Sequence, residues 1–264
     1  MTGTLTGHAV AYHGGTLATG LYSGSTKNWP LKFSPDALPG LVAWLDGSQL
    51  FGVPGAAVNP WPNLAGGPPG SMVDDAGFTR WPKVSANTLN GHPLVRFTVS
   101  EGRLRMTGLD VELEFTLVYL ARMAPGGYNA GRMVTSTYPP TNFLVGYWNG
   151  FEDVAYSTSG AFWTPDNRPN ATTNWKLYSS DGGPAASWNP RLFKNGVLLS
   201  SSSATIGNRG QDGWLGTLNL SGYDAASSAE TCDFEMAELI LYNRKLPDTD
   251  RAKVEQYMKS KWGV

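Results

Sequence analysis

The sequence predicts an all-β protein: a two-sheet antiparallel sandwich with a C-terminal helix and an extended N-terminal arm. Three observations predict it. Short apolar or alternating runs recur between dense turn signals from residue 33 onward. The dipeptide Asn195-Gly196 joins Arg191-Leu192-Phe193-Lys194 to Val197-Leu198-Leu199, and both of its residues tolerate the positive φ that a tight hairpin needs. Tyr257 and Met258 fall three and four residues after Val254, and Trp262 falls four after Met258, which makes one helical stripe at the end of the chain.

The elements follow in order. Residues 1–33 are small, polar and rich in Gly, Thr and Ser, and they cannot build a core alone. They contain a ten-residue echo: Tyr12-His13-Gly14-Gly15-Thr16 returns as Tyr22-Ser23-Gly24-Ser25-Thr26, and Asn28-Trp29-Pro30 closes it. This segment is expected to be either an arm ordered by a partner surface or a flexible tail, and the remainder, 34–264, to be one sandwich domain. Strands are expected at 41–45, 92–99, 113–123, 142–148, 154–157, 175–178, at the 191–199 hairpin and at 234–242. In the longest run Phe115, Leu117, Tyr119 and Ala121 share one face. The closing helix has Asp248 and Asp250 in its first turn, Lys259 and Lys261 in its last, and Gly263 as its stop. Long loops at 52–77, 163–174 and 208–229 are dense in Gly, Pro, Asn, Asp and Ser, and loops of that length usually carry function.

Composition narrows the functional classes. The net charge is −1 and no run of Lys or Arg occurs, so electrostatic capture of DNA or RNA is not expected. No apolar stretch approaches the roughly 18 residues that span a bilayer, so no membrane insertion is expected. The first residues, Met1-Thr2-Gly3-Thr4-Leu5, show neither a basic nor an apolar signal region, and no signal peptide is expected. Cys232 is the sole cysteine and makes no internal disulfide, which favours a chain made in a cytoplasm and released by lysis.

Pro39-Gly40-Leu41-Val42-Ala43-Trp44-Leu45-Asp46-Gly47-Ser48 resembles the opening strand of laminin-G-like domains, and Phe193-Lys194-Asn195-Gly196-Val197 is similar to their late hairpin. Met236-Ala237-Glu238-Leu239-Ile240-Leu241-Tyr242-Asn243-Arg244-Lys245-Leu246, then Val254-Glu255-Gln256-Tyr257 and Lys261-Trp262-Gly263, resembles their last strand and closing helix. The resemblance spans about 38–264 and implies a concanavalin A/laminin-G-like jelly roll. One departure stands at Pro247, where the family usually has Ser: proline supplies no capping oxygen, though it is tolerated at a helix start. The paired Tyr-x-Gly units ending in Trp-Pro resemble N-terminal segments of minor tail proteins in actinobacterial phages. That resemblance implies a virion tail protein outside the cell. Its arm (Tyr12, Gly14, Tyr22, Gly24, Trp29) would dock on other tail proteins or on sister subunits in a homo-oligomer, and its lectin-like domain would face host envelope glycans.

Retaining glycosidases need two carboxyls roughly 5 Å apart. Asp233 and Glu235 alternate on one strand and Glu238 follows, but the strand also feeds the core and the family uses Glu238 structurally. Glu112 and Glu114 read as a solvated strand end. No enzyme is expected. His8, His13 and His92 are too scattered for a metal triad. No cofactor is expected. Calcium is the ion to consider in a lectin-like sandwich, with Asp74, Asp75, Asp166, Asn167, Asp181 and Asp212 as candidate ligands, and an ordinary turn role is the preferred reading of each. Sugar binding is the favoured function, because pyranose C–H faces stack on exposed aromatics while amides and carboxylates read the hydroxyls. The candidates are Trp148, Asn149, Trp163, Asp166, Asn167, Trp188 and Trp214, with Trp61 and Trp81 also placed in loops and Trp44 and Trp175 expected in the core; for each loop Trp a core plug or a subunit interface is the preferred reading over a glycan platform. The alternatives are a secreted bacterial carbohydrate-binding module, a capsid decoration protein and, last, a glycoside hydrolase.

Overall fold

The computed structural model describes residues 33–72, 81–99, 102–109, 111, 114–127, 131–136, 143–157, 161–162, 168–183, 189–201, 217–221 and 230–264, together with the backbone of four short strands before residue 28. The chain divides into two units, Met1–Ser34 and Pro35–Val264. In the first unit, β1 (Tyr12–His13) pairs with β2 (Thr16–Leu17), and β3 (Tyr22–Ser23) pairs with β4 (Thr26–Lys27). The ten-residue echo is therefore two hairpins in the same register, Tyr12 opposite Leu17 and Tyr22 opposite Lys27. Gly14, Gly24 and Trp29 lie outside the described residues.

The second unit continues with β5 (Leu41–Asp46), β6 (Ser71–Met72), β7 (Lys83–Leu89), β8 (His92–Phe97), β9 (Leu104–Thr107), β10 (Phe115–Met123) and β11 (Val134–Ser136). Then come β12 (Phe143–Trp148), β13 (Phe151–Ser157), β14 (Ala161–Phe162), β15 (Lys176–Gly182), β16 (Arg191–Lys194), β17 (Val197–Ser201), β18 (Thr217–Leu220), β19 (Phe234–Tyr242) and α1 (Asp248–Trp262). Among the described residues one sheet runs β17-β16-β15-β10-β19-β8-β7, with β5 also paired to β19. The other runs β14-β13-β12-β11-β18-β9-β6, and every pairing in both is antiparallel. The predicted all-β sandwich with one terminal helix is the observed fold.

Alternation places the core. Phe115, Leu117, Tyr119 and Ala121 of β10 and Leu239 and Leu241 of β19 point between the sheets and are fully buried. Facing them from the second sheet are Val134, Phe143, Val145, Leu218 and Leu220. The opposite face of β10 is also buried, at Val118 and Leu120, because α1 lies against it. Val254, Met258 and Trp262 of the expected stripe are fully buried, and each contributes on the order of 2 kcal/mol.

The helix ends as the sequence requires. Pro247 makes no side-chain cap, so its carbonyl alone takes the amides of Asp250 and Arg251 at 2.9 and 3.0 Å. Gly263 turns left-handed at φ 70° and donates to the Lys259 carbonyl at 2.9 Å.

Several expectations need correction. The 208–229 loop contains β18, and β7, β9 and β11 stand where no strand was expected. The strand expected at 154–157 begins at Phe151, and the one expected at 175–178 runs from Lys176 to Gly182. Trp61, placed in a loop, is a core plug: it is fully buried, and its amide and carbonyl exchange hydrogen bonds with Gly70 at 2.9 Å. Trp44 and Trp175 are not core residues but half-buried ones on the outer faces.

Candidate functional site at the hairpin tip

Sequence-local turn chemistry builds the site. Asn149 and Gly150 both hold positive φ, 51° and 81°, and close a two-residue turn between β12 and β13. Trp148 pairs with Phe151 and Tyr147 with Glu152 across that turn. Residues opposite each other in an antiparallel pair share a face. Tyr147 and Glu152 are buried toward the core, so Trp148 and Phe151, both half-buried, stand on the outer face.

A second segment is laid against this tip. The Glu152 amide donates to the Pro169 carbonyl at 3.0 Å and the Ala171 amide to the Gly150 carbonyl at 2.8 Å. Phe151 bridges to Asn170. These bonds place the exposed Arg168 with its guanidinium 5.2 Å from the centre of the Phe151 ring. Asn149 and Asn170 are exposed beside it. Two aromatic rings, two amides and a guanidinium thus gather within one hairpin and its neighbour.

Behind the tip lies a polar cluster that ties the two sheets together. Glu152 accepts hydrogen bonds from the Thr172 amide and hydroxyl at 3.2 and 3.1 Å and pairs with Lys176 and Lys194 at 3.4 Å each. Asp153 takes the Lys194 ammonium at 2.5 Å and the Tyr178 hydroxyl at 2.6 Å. Burial opposes the charge on Lys194, but Asp153 and Glu152 outweigh it and hold its pKa above the ordinary value. Burial, then neighbouring Tyr147 and Asp153, push the Tyr178 hydroxyl far up, so it stays a donor. The hairpin therefore rests on a braced base.

The carboxylates flagged on β19 are held by fixed donors. Glu235 accepts from Ser85 Oγ at 2.5 Å, Asn87 Nδ2 at 2.7 Å and Arg122 Nε at 2.8 Å. Burial alone would raise its pKa; these hydrogen bonds and the Arg122 charge win and lower it. Asp233 accepts the Val99 amide at 2.7 Å. Glu238 accepts from Trp44 Nε1 at 2.6 Å, Tyr257 Oη at 3.1 Å, Trp262 Nε1 at 2.5 Å and Lys261 Nζ at 3.1 Å. Among the proposed calcium ligands, Asp181 is fully buried and gripped by Arg191 through both oxygens, at 2.9 and 2.5 Å. Asp74, Asp75, Asp166, Asn167 and Asp212 lie outside the described residues, and no metal-ligating group of three gathers among those described.

Of the sugar-binding candidates, the structure places Trp148 and Asn149 at the hairpin tip. Trp163, Trp188 and Trp214, like Asp166 and Asn167, lie outside the described residues. Trp81 is half-buried before β7. Sequence reasoning missed Phe151, Arg168 and Asn170. The Asn149-Gly150 turn could have exposed Phe151 as the partner of Trp148. Nothing local could have brought residues 168–170 to it.

Comparison with solved structures follows from this geometry. Domain 4 of an extracellular GH43 arabinanase from Geobacillus stearothermophilus, in complex with arabinotriose, matches with a TM-score of 0.52 at 12% identity, over 82% of this chain and 98% of that one. The match is one of fold. The binding domain of botulinum neurotoxin DC in complex with SialylT matches with a TM-score of 0.51 at 9% identity, over 84% of this chain and 51% of that one. Trypanosoma rangeli sialidase in complex with sialic acid matches with a TM-score of 0.50 at 12% identity, over 85% of this chain and 33% of that one. No protein-family profile matches the chain. No curated protein matches its sequence.

Proposed function

We propose that this chain is a carbohydrate-binding minor tail protein of a phage virion, and that it holds host-envelope glycans at the β12–β13 tip without catalysing their cleavage. The observation that carries the reading is the outward pair Trp148 and Phe151, flanked by the Asn149 and Asn170 amides and by Arg168. Rings stack on sugar C–H faces, and amides and guanidinium read hydroxyls. The arabinanase domain of like fold was captured with arabinotriose, and the toxin binding domain and the sialidase, matched over 51% and 33% of their chains, were captured with SialylT and sialic acid, which supports the class. The saturation of Glu235 and Glu238 by structural donors supports a binding role over hydrolysis. The tandem hairpins that begin at Tyr12 and Tyr22 support a docking arm for tail proteins or sister subunits, because isolated two-residue strands need a partner to persist.

The test is co-sedimentation of the purified full chain with intact actinobacterial cells. Trp148→Ala should lower the bound fraction at least fivefold while leaving the melting temperature nearly unchanged, and gold-labelled antibody should decorate the tails of phage particles. Undiminished binding by the variant would remove the hairpin tip from the proposal, and labelling confined to capsids would remove the tail assignment.

A further inference from the structure

Among the described residues, the tip carries one charge that no neighbouring carboxylate cancels. Glu152 and Asp153 face Lys176 and Lys194, two negative groups against two positive ones, so the cluster behind the tip is neutral. Arg168 stands outside that cluster. It is exposed, its guanidinium contacts the Phe151 ring, and no described carboxylate pairs with it. Its place is fixed by the backbone bonds that join residues 169–172 to Gly150 and Glu152.

From this we infer that the tip prefers a carboxylate-bearing pyranose, a uronic or other acidic sugar, over the neutral sugar of the same shape. The inference rests on the glycan-binding reading above and names the class of ligand. A neutral sugar stacked on Trp148 offers the guanidinium fork only uncharged hydroxyls. An acidic sugar offers a planar carboxylate that accepts two parallel N–H bonds, and such charge-assisted pairs are about twice as strong as neutral ones. The Phe151 ring limits the motion of the fork, so little freedom is lost when the pair forms. Exposure to solvent keeps the gain modest, on the order of tenfold in affinity.

The experiment compares two multivalent conjugates on a biosensor, one displaying glucuronic acid and the other glucose, at matched density. The full chain should bind the glucuronate conjugate about tenfold more tightly. Arg168→Gln should bring the two within about twofold, by weakening glucuronate binding far more than glucose binding, and Arg168→Lys should keep part of the preference, since charge remains but the fork is lost. Equal binding of both conjugates by the unsubstituted protein, or a preference that survives Arg168→Gln, would overturn the inference and leave glycan binding standing. Binding to neither conjugate would overturn both readings for these sugars.

Discussion

Replacing Glu238 by alanine should destabilise the protein by about 3–5 kcal/mol, seen as a lower urea midpoint with little change in slope. Glu238 is fully buried on β19, opposite Asp46 of β5. Its two oxygens gather the indole N–H groups of Trp44 and Trp262, the Tyr257 hydroxyl and the Lys261 ammonium. One carboxylate therefore fastens β5 and both ends of the last helical turns to the central strand. Alanine would strand two indole donors and leave Lys261 with Asp46 as its remaining carboxylate, at 2.6 Å, and the Tyr257 hydroxyl at 3.2 Å. Burial, and then the nearby Asp46, push the Glu238 carboxyl up, so part of the cost of the native site is the cost of its charge. Glu238→Gln removes that charge and keeps an acceptor, so it should lose clearly less than alanine. Equal loss from both variants would show that charge, and not the hydrogen-bond hub, holds the helix.

Gly146→Ala should be still more damaging, at about 4 kcal/mol or outright failure to fold. Gly146 holds φ at 108°, and a Cβ there would fall 1.7 Å from the Tyr119 hydroxyl oxygen. That hydroxyl is fully buried and donates to the Val145 carbonyl at 2.7 Å, joining β10 of one sheet to β12 of the other. Tyr119→Phe alone should cost about 1 kcal/mol for the lost bond. Combined with Gly146→Ala it should recover much of the damage, because the clashing oxygen is gone. A double variant no better than Gly146→Ala would place the damage in the backbone strain instead.

Much of the frame was legible because its signals are local. The Asn195-Gly196 hairpin, the buried face of β10 and the stripe of α1 each follow from turn chemistry or periodicity over fewer than twenty residues. The two stretches that resemble laminin-G-like domains also have a physical basis: Trp44, Asp46, Glu238, Tyr257, Lys261 and Trp262 are the members of the network that docks the helix. The second sheet was less legible. Its strands β9, β11 and β18 are three or four residues long and carry Arg105, Thr135, Ser136 and Asn219 among their apolar residues. Trp44 and Trp61 take their places for opposite reasons. Strict alternation along β5 sends Ala43 and Leu45 inward and Trp44 outward to meet Tyr257 at 6.2 Å, so the sequence held that answer. Trp61 is buried because the chain from 56 to 70 folds back on the sheet, with Asn63 bonding the Trp44 amide and the Val42 carbonyl, and such long-range contacts leave no local trace. Arg168 reached the hairpin tip in the same way.

The glycan-binding account is tested most directly by intact actinobacterial cells, before and after periodate oxidation of their surface sugars. The account predicts that the full chain binds untreated cells and that oxidation abolishes the binding. Binding that survives oxidation, or no binding at concentrations that would reveal a weak multivalent contact, would contradict it.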